Sequence, residues 1–596
     1  MFLMAIRTFF YFVFLGLALR AGLVYLTDIG GFSDWKAYLH GLHFDVAVAG
    51  FFTLVWFVAP LLGATKKSSH RRWIFVLTFI YTMLFAGDYI YIKESGRHMS
   101  YEVMNLLSIK TSLTSLIGDY WKAILVSLII SWAFAYSRSY KDIPHYGKAK
   151  KVLGLLFVLV LAFVGVRGVY TIPMDPSFSF RAGGAKESNI SLNSAYSILY
   201  AATSGRHAEP EAIPQPTDFS TTEGFQQWRA QRGITKPLMN LKTNVIFIFL
   251  ESWSTAHSWP HFEAFQKEGV HVELMLAGGH RTTEGLFATM CSFPNPLGKG
   301  IMFTQLENFD YLCLPELLKQ KGYHTAFFQG SDQLTSGVGP LAQKLGFKQS
   351  FGKVEYKNLD KTPTNSWGLY DTDLYNWVMD YSHVVQEPFF IGVNTNTTHD
   401  FKLPANVAWK FGEANDSEKS HSVMAYADEE LGAFLKKLAQ QKYDYPLTIV
   451  MVSDHTSFTG GGYLSHYSVP FAMKAPGLKP EQLKGAYSQR DIASTLADLM
   501  GVEAPHFLGR SMLRPQDFSP GTEIYHLGHS VWFVDDVAID FNVRMPEKYK
   551  CYDWKKDWNL TTEIQCPKDT EKYYRQALSY LIETQKILFA GETAKH

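Results

Sequence analysis

Two apolar runs do most to limit what this chain can fold into. Residues 244–251 read Asn-Val-Ile-Phe-Ile-Phe-Leu-Glu, and residues 448–455 read Thr-Ile-Val-Met-Val-Ser-Asp-His. Each is short, rich in β-branched and aromatic side chains and free of polar alternation, the pattern of a strand buried on both faces of a parallel sheet. Ligands sit just beyond the carboxyl ends of such strands. Glu251, Asp454 and His455 are therefore expected at one rim of one sheet, as a mononuclear metal site. The competing reading is two plain core strands whose polar ends meet solvent.

At 596 residues the chain exceeds one ordinary domain, and its net charge of +1 gives no electrostatic case for nucleic acid. Apolar content gathers at the front. Segments near 3–26, 41–62, 73–92, 115–136 and 152–170 are each close to the about 20 residues a bilayer span takes, so a five-helix transmembrane domain is expected over 1–172. The second span carries Asp45 and the third Asp88, charges that should face other helices or a polar cavity. Lys66, Lys67, Arg71 and Arg72 crowd one connection; Arg138, Lys141, Lys148, Lys150 and Lys151 crowd another. Positive loops stay inside, which puts the N-terminus in the cytoplasm and everything after about residue 172 on the outer side. Cys291, Cys313, Cys551 and Cys566 all lie in that outer part. An even number on an oxidising side, close in sequence, predicts the bridges Cys291–Cys313 and Cys551–Cys566.

A Pro-, Ser- and Gly-rich tract over 173–240 reads as a linker. Beyond it strands at 244–250, 324–329, 388–394, 447–452 and 470–474 alternate with helices at 283–291, 312–321, 372–384, 419–442 and 489–501. That alternation predicts an α/β domain with a mostly parallel sheet over 241–525. Residues 526–596 are expected to form a small appended subdomain whose Trp532, Trp554 and Trp558 pack, cover the site, touch lipid or bind glycan, packing being the first expectation.

Chemistry gathers at the expected strand and helix ends. Thr282 opens a helix after Gly278-Gly279-His280-Arg281; alone it reads as an N-cap. A helix N-terminus also suits phosphate, and a metal turns such a hydroxyl into a nucleophile. His399 follows the 388–394 strand, His466 precedes the 470–474 strand, and Trp367 and Asp371 add an aromatic face and a carboxylate.

These stretches, taken together, resemble a known family. Asn-Val-Ile-x-Ile-x-Leu-Glu-Ser (244–252), Arg-Thr-Thr-x-Gly (281–285), Trp-Gly-x-x-Asp (367–371), Asn-Thr-Thr-His (396–399) and Val-Ser-Asp-His (452–455) are similar to motifs of the lipoteichoic acid synthases. They are similar also to those of the phosphoglycerol transferase that decorates periplasmic glucans. Both lie within the alkaline phosphatase and sulfatase superfamily. The resemblance implies a sulfatase-like catalytic domain behind the membrane helices. It implies a Thr282 nucleophile that takes phosphoglycerol from phosphatidylglycerol and passes it to a glycan or lipid hydroxyl. Glu251, Thr282, Asp454 and His455 would hold one divalent ion, with Mn²⁺ ahead of Mg²⁺ or Zn²⁺ for this oxygen-rich set. His399 would carry protons, and Arg281, Trp367, Asp371 and His466 would bind substrate. One departure stands out: where the synthases carry Trp and Arg after a His-Gly pair, this chain has Gln329-Gly-Ser-Asp332-Gln. A basic headgroup or phosphate contact is missing there, which leaves the acceptor and the donor open. The expected Cys291–Cys313 bridge is unlike a Gram-positive synthase and suits a Gram-negative inner membrane with the catalytic domain in the periplasm. Phosphoethanolamine transfer to lipid A and a non-catalytic lipid-binding envelope protein are the alternatives.

Overall fold

The computed structural model describes residues 2–27, 34–95, 98–99, 113–136, 142, 147–167, 174, 176, 179, 182, 185–204, 208–255, 258–302, 304, 306, 309–333, 335–457, 463–514 and 521–594. The chain divides into two compact units, Met1–Arg206 and His207–His596.

In the first unit, three helices among the described residues are long and apolar enough to cross a bilayer: Phe2–Thr27, Trp35–Leu61 and Lys67–Lys93. This corrects the expectation of five spans. The fourth and fifth expected segments are helical, over Leu113–Tyr136 and Lys148–Arg167. The apolar part described in the former is only Trp121–Tyr136. In the latter, the apolar run is confined between Lys151 and Arg167. Among the described residues neither is long and apolar enough to count as a span. Small residues let the second and last of these helices meet backbone to backbone, since a Cβ on Gly50 would crowd Ala162 and one on Gly165 would crowd Val46. The charges within the bundle are paired. Arg20 meets Asp45 at 2.7 Å with both side chains fully buried, and Asn193 donates to Asp45 at 2.7 Å. Asp88 accepts from the Met99 amide at 2.6 Å and contacts His98. The stretch 92–118, which by sequence is too polar to span and reads as an amphipathic headgroup segment or a polar loop, falls largely outside the described residues.

The second unit is built on an eight-stranded sheet, counted among the described residues, in the order β4-β3-β5-β1-β6-β7-β2-β8. The strands are β1 (Asn244–Leu250), β2 (Val270–Leu276), β3 (His324–Gln329), β4 (Gln349–Phe351), β5 (Phe389–Asn394), β6 (Leu447–Ser453), β7 (Phe471–Lys474) and β8 (Glu481–Ser488). All pairings are parallel except those of β7, which runs against β6 and β2. The sheet is thus mostly parallel, with one reversed strand inside it.

Side chains on a strand alternate between faces, and β1 shows why its run is apolar throughout. Val245, Phe247 and Phe249 enter one core with Leu286, Phe287 and Leu496. Ile246, Ile248 and Leu250 enter the other with Phe262, Leu374 and Leu431. Helices Thr282–Cys291 and Arg490–Met500 cover the first face; Pro260–Lys267, Asp371–Val384 and Asp416–Leu438 cover the second.

A five-stranded antiparallel sheet follows, of β9 (Thr522–His526), β10 (His529–Val534), β11 (Val537–Asn542), β12 (Tyr549–Asp553) and β13 (Glu563–Ile564), with the helix Thr570–Phe589 after it. Trp532 and Trp554 are buried there as packing residues, while Trp558 is partly exposed. Both expected disulfides are present, Cys291–Cys313 and Cys551–Cys566.

Candidate metal-dependent active site

The parallel register of β1 and β6 pairs Leu250 with Ser453, so Glu251 and Asp454 are neighbours one step beyond the ladder. By alternation both follow the face of Phe249 and Val452, the face covered by the Thr282–Cys291 helix. The two carboxylates and the start of that helix are thereby brought together. One ligand atom from each of Glu251, Asp454 and His455 lies within 4.8 Å of the others. Glu251 Oε2 receives His399 Nε2 at 3.1 Å and Thr282 Oγ1 at 3.4 Å. His455 Nε2 lies 3.4 Å from Glu251 Oε1 and 3.6 Å from Asp454 Oδ2.

Backbone groups hold this cluster. The Glu251 amide donates to Thr395 Oγ1 at 2.8 Å, and Asp454 Oδ1 accepts from the amides of Ser252 and His455 at 2.9 and 2.8 Å. Ser252 takes a left-handed conformation, φ 60°, which costs energy for a residue with a Cβ. It turns the chain immediately after β1 and lets Ser252 Oγ donate to Glu251 Oε1 at 2.6 Å.

Electrostatics fit a cation. Glu251 and Asp454 are fully buried side by side. Burial pushes Glu251 up, but the imidazoles of His399 and His455 outweigh it and hold the carboxyl well below its ordinary range. Burial first, and then the Glu251 charge, push Asp454 up to about 7. For His455 burial opposes the charge, yet Asp454 and Glu251 raise it to about 10; Glu251 likewise raises His399 against burial. Asp454 Oδ2 is buried with no hydrogen-bond partner, an orphan that a coordinated ion would satisfy. An imidazole and two carboxylates, with a threonine hydroxyl beside them, are ligands for Mn²⁺, Mg²⁺ or Zn²⁺.

The other expected site residues are placed as follows. Thr282 is the first helical residue, and the cap position belongs to Arg281, whose backbone is extended and whose side chain makes no cap bond. Arg281 Nε is 3.9 Å from Glu284 Oε1. Trp367 is 42% exposed and stacks on His399 with ring centroids 4.9 Å apart. Asp371 is 1% exposed; its Oδ1 accepts the amides of Asn396 and Thr397 at 2.7 and 3.0 Å, so it holds the turn that leads to His399. His466 is half-buried, and its carbonyl accepts from Thr456 Oγ1 at 3.0 Å. In the departing stretch, the Gln329 amide donates to Ser331 Oγ and the Asp332 carbonyl.

Residues not singled out from the sequence also support the site. Asn394 Nδ2 lies 3.4 Å from Glu251 Oε2, and Thr398 Oγ1 donates to the Glu251 carbonyl. Both lie in the polar stretch after β5, where a strand-end position was the available signal. Gln489, which ties the Thr282 loop to β6, had none.

Comparison with known proteins points to the same fold. Residues 243–502 match the family model described as Sulfatase. Phosphoglycerol transferase I of Salmonella arizonae is 24% identical over 311 residues, 48% of this chain and 41% of the relative. That of Escherichia coli is 25% identical over 313 residues, with the same shares. The chain thus spans less than half the length of these curated relatives. Among solved structures, a protein in the alkaline phosphatase superfamily from Vibrio parahaemolyticus superposes with a TM-score of 0.55 at 18% identity, over 63% of this chain and 98% of that one. The lipoteichoic acid synthase LtaP from Listeria monocytogenes gives 0.52 at 15% identity, over 62% and 98%. Residues 243–502 thus carry the match to the Sulfatase model, and the second unit shares the fold of that alkaline phosphatase superfamily structure.

Proposed function

We propose that this protein is a membrane-anchored, metal-dependent phosphoglycerol transferase of the inner membrane, with its catalytic unit on the periplasmic side. The observation that carries the reading is the convergence of Thr282, Glu251, Asp454, His455 and His399, with Thr282 Oγ1 3.4 Å from Glu251 Oε2. The likeness to proteins named phosphoglycerol transferase I and LtaP supports it.

Glu251, Asp454, His455 and the Thr282 oxygen would hold one divalent ion, Mn²⁺ first, which on binding supplies Lewis acidity to the hydroxyl and the phosphate. Thr282 Oγ1, its proton already released to solvent, forms a bond to the phosphorus of phosphatidylglycerol while the bond to the diacylglycerol oxygen breaks. His399 gives that oxygen its proton, and Trp367 fixes the imidazole plane by stacking. The resulting phosphoglycerol-threonine is then attacked by an acceptor hydroxyl of a glycan or lipid. His399 takes the proton of that hydroxyl, and the Thr282 oxygen–phosphorus bond breaks. Arg281 and His466 orient the headgroup.

The test is intact-mass spectrometry of the purified full chain in detergent with Mn²⁺ and either phosphatidylglycerol or phosphatidylethanolamine, with Thr282→Ala as control. A phosphoglycerol adduct absent from the variant is the expected result. A phosphoethanolamine adduct moves the protein to lipid A-type headgroup transfer, and no adduct with either donor rejects the covalent mechanism.

A further inference from the structure

The sheet β9–β13 lies beyond the family-matched residues, yet its first strand reaches the loop that carries Thr282. Tyr467 is buried, and its hydroxyl lies 2.8 Å from His280 Nε2, 2.7 Å from Nδ1 of His526 on β9 and 3.2 Å from the Tyr525 carbonyl. A phenol has one proton, so at least one of the two imidazoles donates to this oxygen. The rings close around it: His280 and Tyr467 have centroids 4.6 Å apart, His280 and His526 5.8 Å. Tyr463 meets His526 edge-on at 5.7 Å. Tyr467 holds the loop a second time, because its carbonyl accepts the Ala277 amide at 2.8 Å. The His280 amide donates to Glu284 Oε2 at 2.7 Å. His280 is thus fixed through its ring and its backbone two residues before Thr282.

The other end of β9 is anchored independently. Arg490 Nη2 donates to Glu523 Oε2 at 2.6 Å and Thr522 Oγ1 at 3.2 Å, and Arg490 Nη1 to Tyr580 Oη at 2.6 Å. A strand pinned at Glu523 and touching Tyr467 at His526 is a rigid abutment for the loop.

We infer that the C-terminal sheet belongs to the active-site architecture: His526, acting through the Tyr467 hydroxyl on His280, is a positioning residue for Thr282. The inference rests on the reading of Thr282 as nucleophile. Small displacements of a reacting group are enough to matter, since a shift of about 1 Å costs on the order of 10²-fold in rate.

The test uses the full chain in detergent and the variants Tyr467→Phe, His526→Leu and His526→Asn. Hydrogen exchange across 277–283 is measured with melting temperature, kcat and KM for phosphatidylglycerol. Tyr467→Phe and His526→Leu are expected to speed exchange across 277–283 about tenfold and lower kcat about tenfold. KM should stay within about twofold and exchange in β1 and β6 should be unchanged, while His526→Asn, which keeps a polar atom at the Nδ1 position, restores most of the rate. Wild-type exchange across 277–283 in Tyr467→Phe overturns the inference, as does a His526→Asn variant no better than His526→Leu in either exchange or rate. If the wild-type chain turns over no phosphatidylglycerol, the proposed function fails separately, and the exchange measurements still decide this inference.

Discussion

The side-chain amide of Gln489 donates to the Asp454 carbonyl at 2.9 Å, and to that of Ser453 at 2.7 Å, while its oxygen accepts the Gly278 amide at 2.7 Å. One buried side chain therefore ties the end of β6 to the loop before Thr282. Gln489→Leu removes all of these bonds and strands buried backbone groups, for an expected loss of roughly 2–4 kcal/mol. Urea unfolding measures that loss, and titration with Mn²⁺ should show affinity lower by about tenfold, because supporting bonds tune metal ligands.

Thr282→Ala should abolish transfer, by on the order of 10⁴-fold, as loss of a nucleophile does. Its unfolding midpoint should stay close to wild type, since only one methyl and one hydroxyl change at a residue on the rim of the core. Steady-state turnover beside thermal melting separates the two effects.

Metal removal should be reversible and visible without any substrate. A chelator should stop turnover, and returning Mn²⁺ at 100 times its dissociation constant should stabilise the fold by about 2.7 kcal/mol. Asp454→Asn and Glu251→Gln should lose most of that metal-dependent shift in calorimetry, and a shift equal to wild type in either would remove that residue from the ligand set.

Asp371 gives a pH signature. Burial, only partly offset by the Asn396 and Thr397 amides, raises its carboxyl to about 6 from the ordinary 3.8. The folded state thus holds this proton more tightly, so the contribution to stability is full below pH 3.8 and is lost as pH rises through 6. Its size is about 3 kcal/mol. Asp371→Asn keeps an acceptor for both amides and cannot titrate, so the wild-type-minus-variant stability difference, measured by urea unfolding from pH 4 to 7, should fall by that amount and then stay flat.

Cys291 ends the Thr282 helix and bridges Cys313 across 22 residues of sequence. Replacing both by serine should cost roughly 3 kcal/mol, the loop-closure entropy restored to the unfolded chain, as read by denaturation under non-reducing conditions.

Strands buried on both faces were the legible part of the fold. β1, β3 and β6 begin where strands are expected, at 244, 324 and 447, and Glu251, Asp454 and His455 follow from where two of the apolar runs stop. Less was readable where a strand meets solvent. β2 carries His271 and Glu273 between its apolar residues, and the edge strand β8 opens with exposed Glu481 and Gln482. The reversal of β7 depends on pairing with partners distant in sequence, which periodicity does not encode. Gln489 has no sequence signal for a similar reason: its partners lie at the end of β6 and in the loop before Thr282, some 35 and 211 residues away. Arg281, in the extended conformation that closes the preceding loop, takes the cap position, so Thr282 is the first helical residue.

The pairing of Leu250 with Ser453 has a consequence for how the molecule matures. Because side chains alternate, a slip of one residue between β1 and β6 would turn either Glu251 or Asp454 away from its partner and into the opposite core. A mis-threaded chain would then bury a lone carboxylate among phenylalanines and leucines and have no ion to capture. The two carboxylates thus act as a checksum on strand alignment: a chain able to bind its metal has already aligned the centre of its sheet.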